Sequence, residues 1–261
     1  FIVAVPLGIG LISFIALMLV EYHKQEALAP IKKMWTTLPV VGTIVAMVGG
    51  GAFVTFVLLT IQFLLEVEKV PPLWAGLSFW PQVVGVVITA AMLGILFRTR
   101  YLPVLAFAGM LVIIIGGILL AVIMPSGNRV LLLSAVALLG LGAGATVSPG
   151  LFLAGLSLPS RILGRIFALI ELVRSVADFI MAPVMEKIAT ATSASPPLSS
   201  GGVHEAIILT LIIMAATLVL CLAIYLLGGA RLPKPDIEAW IEKDGIAVDS
   251  PDLLHVLRDR S

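Results

Sequence analysis

Charged side chains are scarce: they make up 12% of the 261 residues, 16 Lys and Arg against 15 Asp and Glu. A soluble globular domain carries about 25%. A water-soluble chain of this length would bury a large core, yet it would still need a charged coat. These charges are too few to form one, so lipid must cover much of the outside. The net charge of +1 says nothing of nucleic acid, and with no basic patch interleaved with aromatics no nucleic-acid partner is expected. Cysteine is all but missing. Cys221 stands alone in an apolar run, which excludes an intrachain disulfide and a multi-cysteine metal site and leaves a packing role. His23, His204 and His255 fall outside the apolar runs and no H-E-x-x-H occurs. The His-Glu constellation of a membrane-embedded metalloenzyme is therefore missing, no nucleophile with an adjacent base replaces it, and no cofactor is implied. Phe1 opens inside an apolar stretch with no initiator Met and no basic n-region. That start reads as a chain cut from something longer, not as a signal peptide.

Apolar residues fill the space that charge leaves, at 60% of the chain with a mean hydropathy of +1.17. Seven apolar runs cover about residues 1–20, 38–65, 73–97, 104–124, 130–155, 165–185 and 205–228. Each is near or above the roughly 20 residues that cross about 30 Å of hydrocarbon as a helix. Helix is the required form, because lipid offers nothing to unpaired backbone groups. A barrel needs strands of about 10 residues with alternating polarity, and the run 104–124 has no polar side chain at all. The expected fold is an all-α membrane protein with seven transmembrane helices. Pro71-Pro72 stops the chain between spans two and three, and Pro125, Ser126, Gly127 and Asn128 turn it between spans four and five. The segment 186–204, rich in Ser, Pro and Gly over 193–202, reads as a longer flexible loop. Residues 231–261 are polar and read as a soluble tail, in which Ser250-Pro251-Asp252 resembles a helix start.

Basic residues flanking the spans set an orientation. One side holds Lys24, Lys32, Lys33, Arg98, Arg100, Arg161, Arg165, Arg231 and Lys234; the other holds Lys69, Arg129 and Lys187. The first side, with the tail, is expected to be cytoplasmic. Spans four and seven have few polar groups and read as peripheral, lipid-facing helices, whereas spans two, three, five and six carry the glycines, prolines and polar side chains. Spans two to seven divide into two triplets, each a Gly-rich helix, a Pro-containing helix and a plain apolar helix. Paired three-helix repeats build transporter halves, and Gly/Pro-interrupted segments in matching positions point towards a binding site. The same glycines also serve close helix packing, as the Gly140 and Gly144 spacing would.

Leu17-Met18-Leu19-Val20-Glu21 followed by Ala29-Pro30 resembles the end of the extra central hairpin in the fourteen-span drug:proton antiporters of the major facilitator superfamily. Ile61-Gln62-Phe63-Leu64, leading through Pro71-Pro72-Leu73-Trp74-Ala75-Gly76-Leu77 to Pro81, fits the same pattern. So does Gly140-Leu141-Gly142-Ala143-Gly144 followed by Pro149, Leu158-Pro159, Gly164 and then Arg174. The resemblance covers about residues 1–228. It implies a single helix (1–27) ending that hairpin, a cytoplasmic linker (28–37), a six-helix carboxyl-terminal transporter domain (38–228) and a cytoplasmic tail (229–261). It further implies residence in the bacterial inner (plasma) membrane, an amino-terminal half as missing partner, and a small-molecule substrate. The function it implies is proton-coupled efflux of small organic, drug-like compounds. A truncated or non-transporting membrane fragment is the alternative reading, and a membrane-embedded enzyme is a remote one.

The sharpest local signal is Glu171, Arg174 and Asp178 in span six. Charges inside a span cost about 2.5–3.5 kcal/mol each on insertion scales, so they avoid lipid. Spacings of three and four put them on one helical face with Arg174 between the acids. They form either a substrate or proton pathway or a structural ion-pair ladder. Further pathway candidates are Gln62, Gln82 and Trp80, for which interhelical hydrogen bonding and interfacial anchoring are the plainer roles. Thr146 and Ser148 are also candidates, against simple bonding to backbone carbonyls.

Overall fold

Long apolar stretches become long helices, in two cases across an internal proline. The computed structural model describes residues 4–24, 31–123, 128–193, 198–229, 234–242 and 245–253. Among these, all regular structure is helical, and the helices are α1 (Ala4–His23), α2 (Thr37–Gln62), α3 (Pro72–Leu77), α4 (Trp80–Leu96), α5 (Leu102–Ile123), α6 (Arg129–Gly155), α7 (Leu163–Ala191), α8 (Ser200–Leu227) and α9 (Ile237–Glu242). A π-helical turn, Phe63–Val67, extends α2. Five stretches are long and apolar enough to cross a membrane: Thr37–Val67, Pro72–Leu96, Leu102–Ile123, Arg129–Gly155 and Ser200–Leu227. The chain is an all-α membrane protein. Helix α7, at 29 residues, matches them in length but is set apart by its charges.

Helix ends are placed by local chemistry. Asn128 Oδ1 accepts from the N–H groups of Val130 (3.0 Å) and Leu131 (3.3 Å) at the start of α6. Ser199 Oγ accepts from Gly202 N at the start of α8. Both satisfy donors that a helix leaves unpaired. The side chain of Thr36 does not cap α2. That task falls to the tail, where Ser250 Oγ accepts from Leu38 N and the Pro251 carbonyl accepts from Thr37 N, both at 3.0 Å.

Helices α2 and α6 lie at the centre. Helix α6 packs on α2, α4 and α5; α2 packs on α6, α7 and α8; α5 and α8 pack on each other. The result is a row α4–α6–α2–α7 with α5 and α8 forming a second row. Glycine makes the crossings close. A Cβ at Gly85 of α4 would sit 2.5 Å from Leu141 N, and one at Gly109 of α5 2.7 Å from the Ala145 carbonyl carbon. Gly42 of α2 meets Gly150 and Ala154 of α6 in the same manner. Phe56, Leu59, Met110, Ile113, Leu139 and Ile207 fill the space between the rows as fully buried side chains.

The structure departs from several expectations. Span four is not peripheral: 50% of the most apolar stretch of α5 is buried, against 22% in Pro72–Leu96 and in α8. A helix without polar side chains can still be a core helix, and Gly109, Gly116 and Gly117 let α5 nest against α6, α2 and α8. Span three is two helices, broken at Ser78 and Phe79, where Ser78 Oγ donates to the Trp74 carbonyl. Helices α7 and α8 run to Ala191 and from Ser200, so the connection between them is shorter than the loop 186–204, and Ser195 lies outside the described residues. His204 sits within α8, its Nδ1 donating to the Ala121 carbonyl at 3.0 Å. The tail is not a free appendage. Among the described residues, 234–253 lie against the end of the bundle where α2 starts and α6 finishes, and Trp240 is buried there.

Candidate functional site

An α-helix brings residues three and four apart onto one face, and α7 does this with its charges. Arg174 Nε donates to Glu171 Oε2 at 2.8 Å, and Nη2 of the same guanidinium lies 2.7 Å from that oxygen. Nη1 donates to Asp178 Oδ2 at 2.7 Å. The side chains grade inward, with Glu171 40% exposed, Arg174 24% and Asp178 16%. Asp178 therefore forms the enclosed end of the ladder. Its other oxygen, Oδ1, is buried and has no hydrogen-bond partner among the described residues. One cation between two carboxylates leaves the group one negative charge in excess when all three are ionised. That free acceptor can take a proton or an N–H from a ligand. Five residues on, Pro183 lacks the N–H that an unbroken helix would bond to the Phe179 carbonyl.

The triglycine of α2 makes room for this ladder. A Cβ at Gly50 would lie 2.9 Å from Arg174 Cδ, and one at Gly51 would lie 3.2 Å from Met181 Sδ and 3.7 Å from Asp178 Oδ1. Gly49 turns the other way, where a Cβ would lie 2.8 Å from Thr146 Oγ1. A backbone without side chains thus runs between α6 and α7, with Thr146 on one flank and the charged ladder on the other. The single hydroxyl hydrogen of Thr146 is shared between the carbonyls of Gly142 (3.0 Å) and Ala143 (3.1 Å), so its donor is spent within α6 while its oxygen can still accept. Ser148 is half-buried, one turn beyond Gly144.

The remaining candidates are not drawn into this cluster. Gln82 sits with its backbone against Gly140 of α6, and α4 makes no extended contact with α7. Gln62 lies 12 positions beyond Gly50, about 18 Å along the helix axis. Both amides nevertheless hold a buried Oε1 without a partner. Trp80 is 61% exposed on the outside of α4. A feature that sequence reasoning passed over is a cavity of about 440 Å³ at the end of the bundle away from the tail, lined by Phe63, Glu68, Trp74, Ser78, Ile123 and Arg129 among others. Glu68 reads from sequence as a solvated loop acid. Only the Pro71-Pro72 stop hinted that the chain turns back there. The turn also uses Lys69 in the left-handed region, at φ 55°.

No protein-family model matches the chain, and no curated protein matches it.

Proposed function

We propose that this chain is the carboxyl-terminal half of a secondary active transporter of the major-facilitator type, exporting small organic compounds in exchange for protons by alternating access. In this reading α1 is a separate span, α2 to α8 supply six more (α3 and α4 together making one), and the tail end faces the cytoplasm. The packing pattern supports a repeat. If α2, α3–α4 and α5 correspond in order to α6, α7 and α8, the contact of α2 with α7 matches that of α6 with α4. The contact of α2 with α8 likewise matches that of α6 with α5. Interlocked triplets of this kind suit a half-bundle that rocks as a unit against a second half.

The observation that carries the reading is the partly open Glu171–Arg174–Asp178 ladder beside a side-chain-free stretch of α2, with Asp178 Oδ1 unpartnered. An acceptor left open on the inner acid of the ladder suits a group that takes a proton or a ligand N–H in turn. The structural alternative draws on the fact that both acids already bond to Arg174. Alternating access needs two halves, so the purified chain alone in liposomes should show no proton-driven movement of cationic dyes. The longer protein that this reading requires should move them. Transport by the monomeric chain alone would overturn the proposal.

A further inference from the structure

The tail joins the bundle through specific bonds on two helices far apart in sequence. Ser250 and Pro251 bind the first free N–H groups of α2, and the Thr37 hydroxyl donates to the Asp252 carbonyl at 3.2 Å. On the other side, Ala247 N (2.8 Å) and Val248 N (3.1 Å) donate to the Leu156 carbonyl, just past the end of α6. Trp240 Nε1 donates to the Leu158 carbonyl at 2.8 Å, and its ring is 4% exposed. These are the donors and acceptors that helix ends leave open, so the tail caps α2 and the exit of α6 at once. It is also shaped for the task. Asp236 Oδ1 accepts from Ala239 N to start the short helix α9, and Asp236 N donates to the Ala247 carbonyl, folding the segment back on itself.

Apolar fit accompanies the polar bonds. Leu38, Leu102, Leu153 and Leu156 of the bundle face Pro235 and Val248 of the tail, and the gap left between them is only about 10 Å³. That is about the least volume that holds a single water. The seal lies one turn from the closest α2–α6 approach, where Gly42 meets Gly150. Yet the tail itself is polar, and apart from Trp240, Pro235, Ala247 and Val248 its described side chains are exposed or half-buried. Such a segment is held by a few bonds and four buried side chains docked on the bundle, and not by a core of its own.

We infer that the end of the bundle formed by α2, α5 and α6 is a peptide-docking groove whose occupant is this chain's own segment 234–253, a releasable strap that holds the α2 and α6 ends together and keeps water from the groove.

A single cysteine at Leu102→Cys, in a Cys221→Ala background of the full chain in detergent, reports on the groove because Leu102 is buried beneath the strap. Thiol labelling should be slow in that chain. Adding Trp240→Ala with Ser250→Ala should raise its rate at least about tenfold, the population shift expected from losing two bonds alone, to which the lost anchor ring adds. An excess of synthetic peptide 234–253 should restore protection in trans, and Trp240→Phe, which keeps a ring without the donor, should fall between. Unchanged labelling in a monodisperse double variant would overturn the inference. So would a raised rate that the peptide does not reverse, since that marks a loosened bundle and not a vacated groove. If the double variant aggregates, a protease site placed after Gly229 and cut once the chain has folded frees the strap, and the same rise and reversal decide.

Discussion

Substituting glycine by alanine at three positions separates crossings limited by backbone from those limited by a side chain. At Gly85 the new Cβ would lie 2.5 Å from Leu141 N and 2.6 Å from the Ala137 carbonyl oxygen, both backbone atoms of α6. They can retreat only if two helices move apart. Overpacking of that kind costs about 1–3 kcal/mol. The better helix propensity of alanine returns about 0.5–1 kcal/mol, so Gly85→Ala should lose about 1–2 kcal/mol net. At Gly50 the obstruction is Arg174 Cδ at 2.9 Å, part of a flexible side chain. A small shift of the stem relieves it, and Gly50→Ala should change stability by less than about 1 kcal/mol. Gly94 has nothing within 4 Å, so Gly94→Ala should be neutral or stabilising by up to about 0.5–1 kcal/mol. Reversible unfolding in mixed micelles, followed by circular dichroism, gives all three values. Should Gly85→Ala match Gly94→Ala to within about 0.5 kcal/mol, the resolution of such comparisons, the α4–α6 crossing described above is wrong.

The orientation is open to direct labelling. In a Cys221→Ala background, an impermeant thiol reagent on intact cells should label Ser200→Cys and spare Thr99→Cys, and the opposite pattern would invert the topology. Arg174→Gln alone leaves Glu171 and Asp178 facing each other without a cation. Losing one partner of a fully buried pair costs about 3–5 kcal/mol, and partial exposure brings the expected loss to about 1–3 kcal/mol in the same unfolding assay. A loss below about 0.5 kcal/mol would mean that water already screens the ladder.

The parts of this molecule that follow local rules are readable from the chain. A run such as 104–124 has no choice but helix in lipid, and α5 spans Leu102–Ile123. The spacing of Glu171, Arg174 and Asp178 places them together because a single helix does the placing. What depends on the rotation of one helix against another is not readable. Gly49, Gly50 and Gly51 are adjacent in sequence, yet one serves Thr146 and the next two serve α7. Gly140 and Gly144 face Gln82 and Thr89 of α4, while Gly142 between them faces α5. The absence of polar groups made span four look lipid-facing, but hydrophobicity does not distinguish lipid from protein as a neighbour. The strap was invisible for a related reason. Ser250-Pro251-Asp252 has the chemistry of a helix cap, and the Leu38 N–H that Ser250 satisfies lies 212 positions earlier.

The account's central claim is that the charged face of α7 carries a pathway. The triple change Glu171→Gln, Arg174→Gln, Asp178→Asn removes every titratable group of the ladder while leaving no charge unpaired, so folding should survive with little loss. Placed in the longer transporter that the proposed function requires, it should give normal thermal stability in detergent and no efflux of substrate from cells, because nothing remains there to carry a proton or pair with a charged compound. A triple variant with normal stability and normal efflux would contradict the claim and leave the ladder as a structural brace.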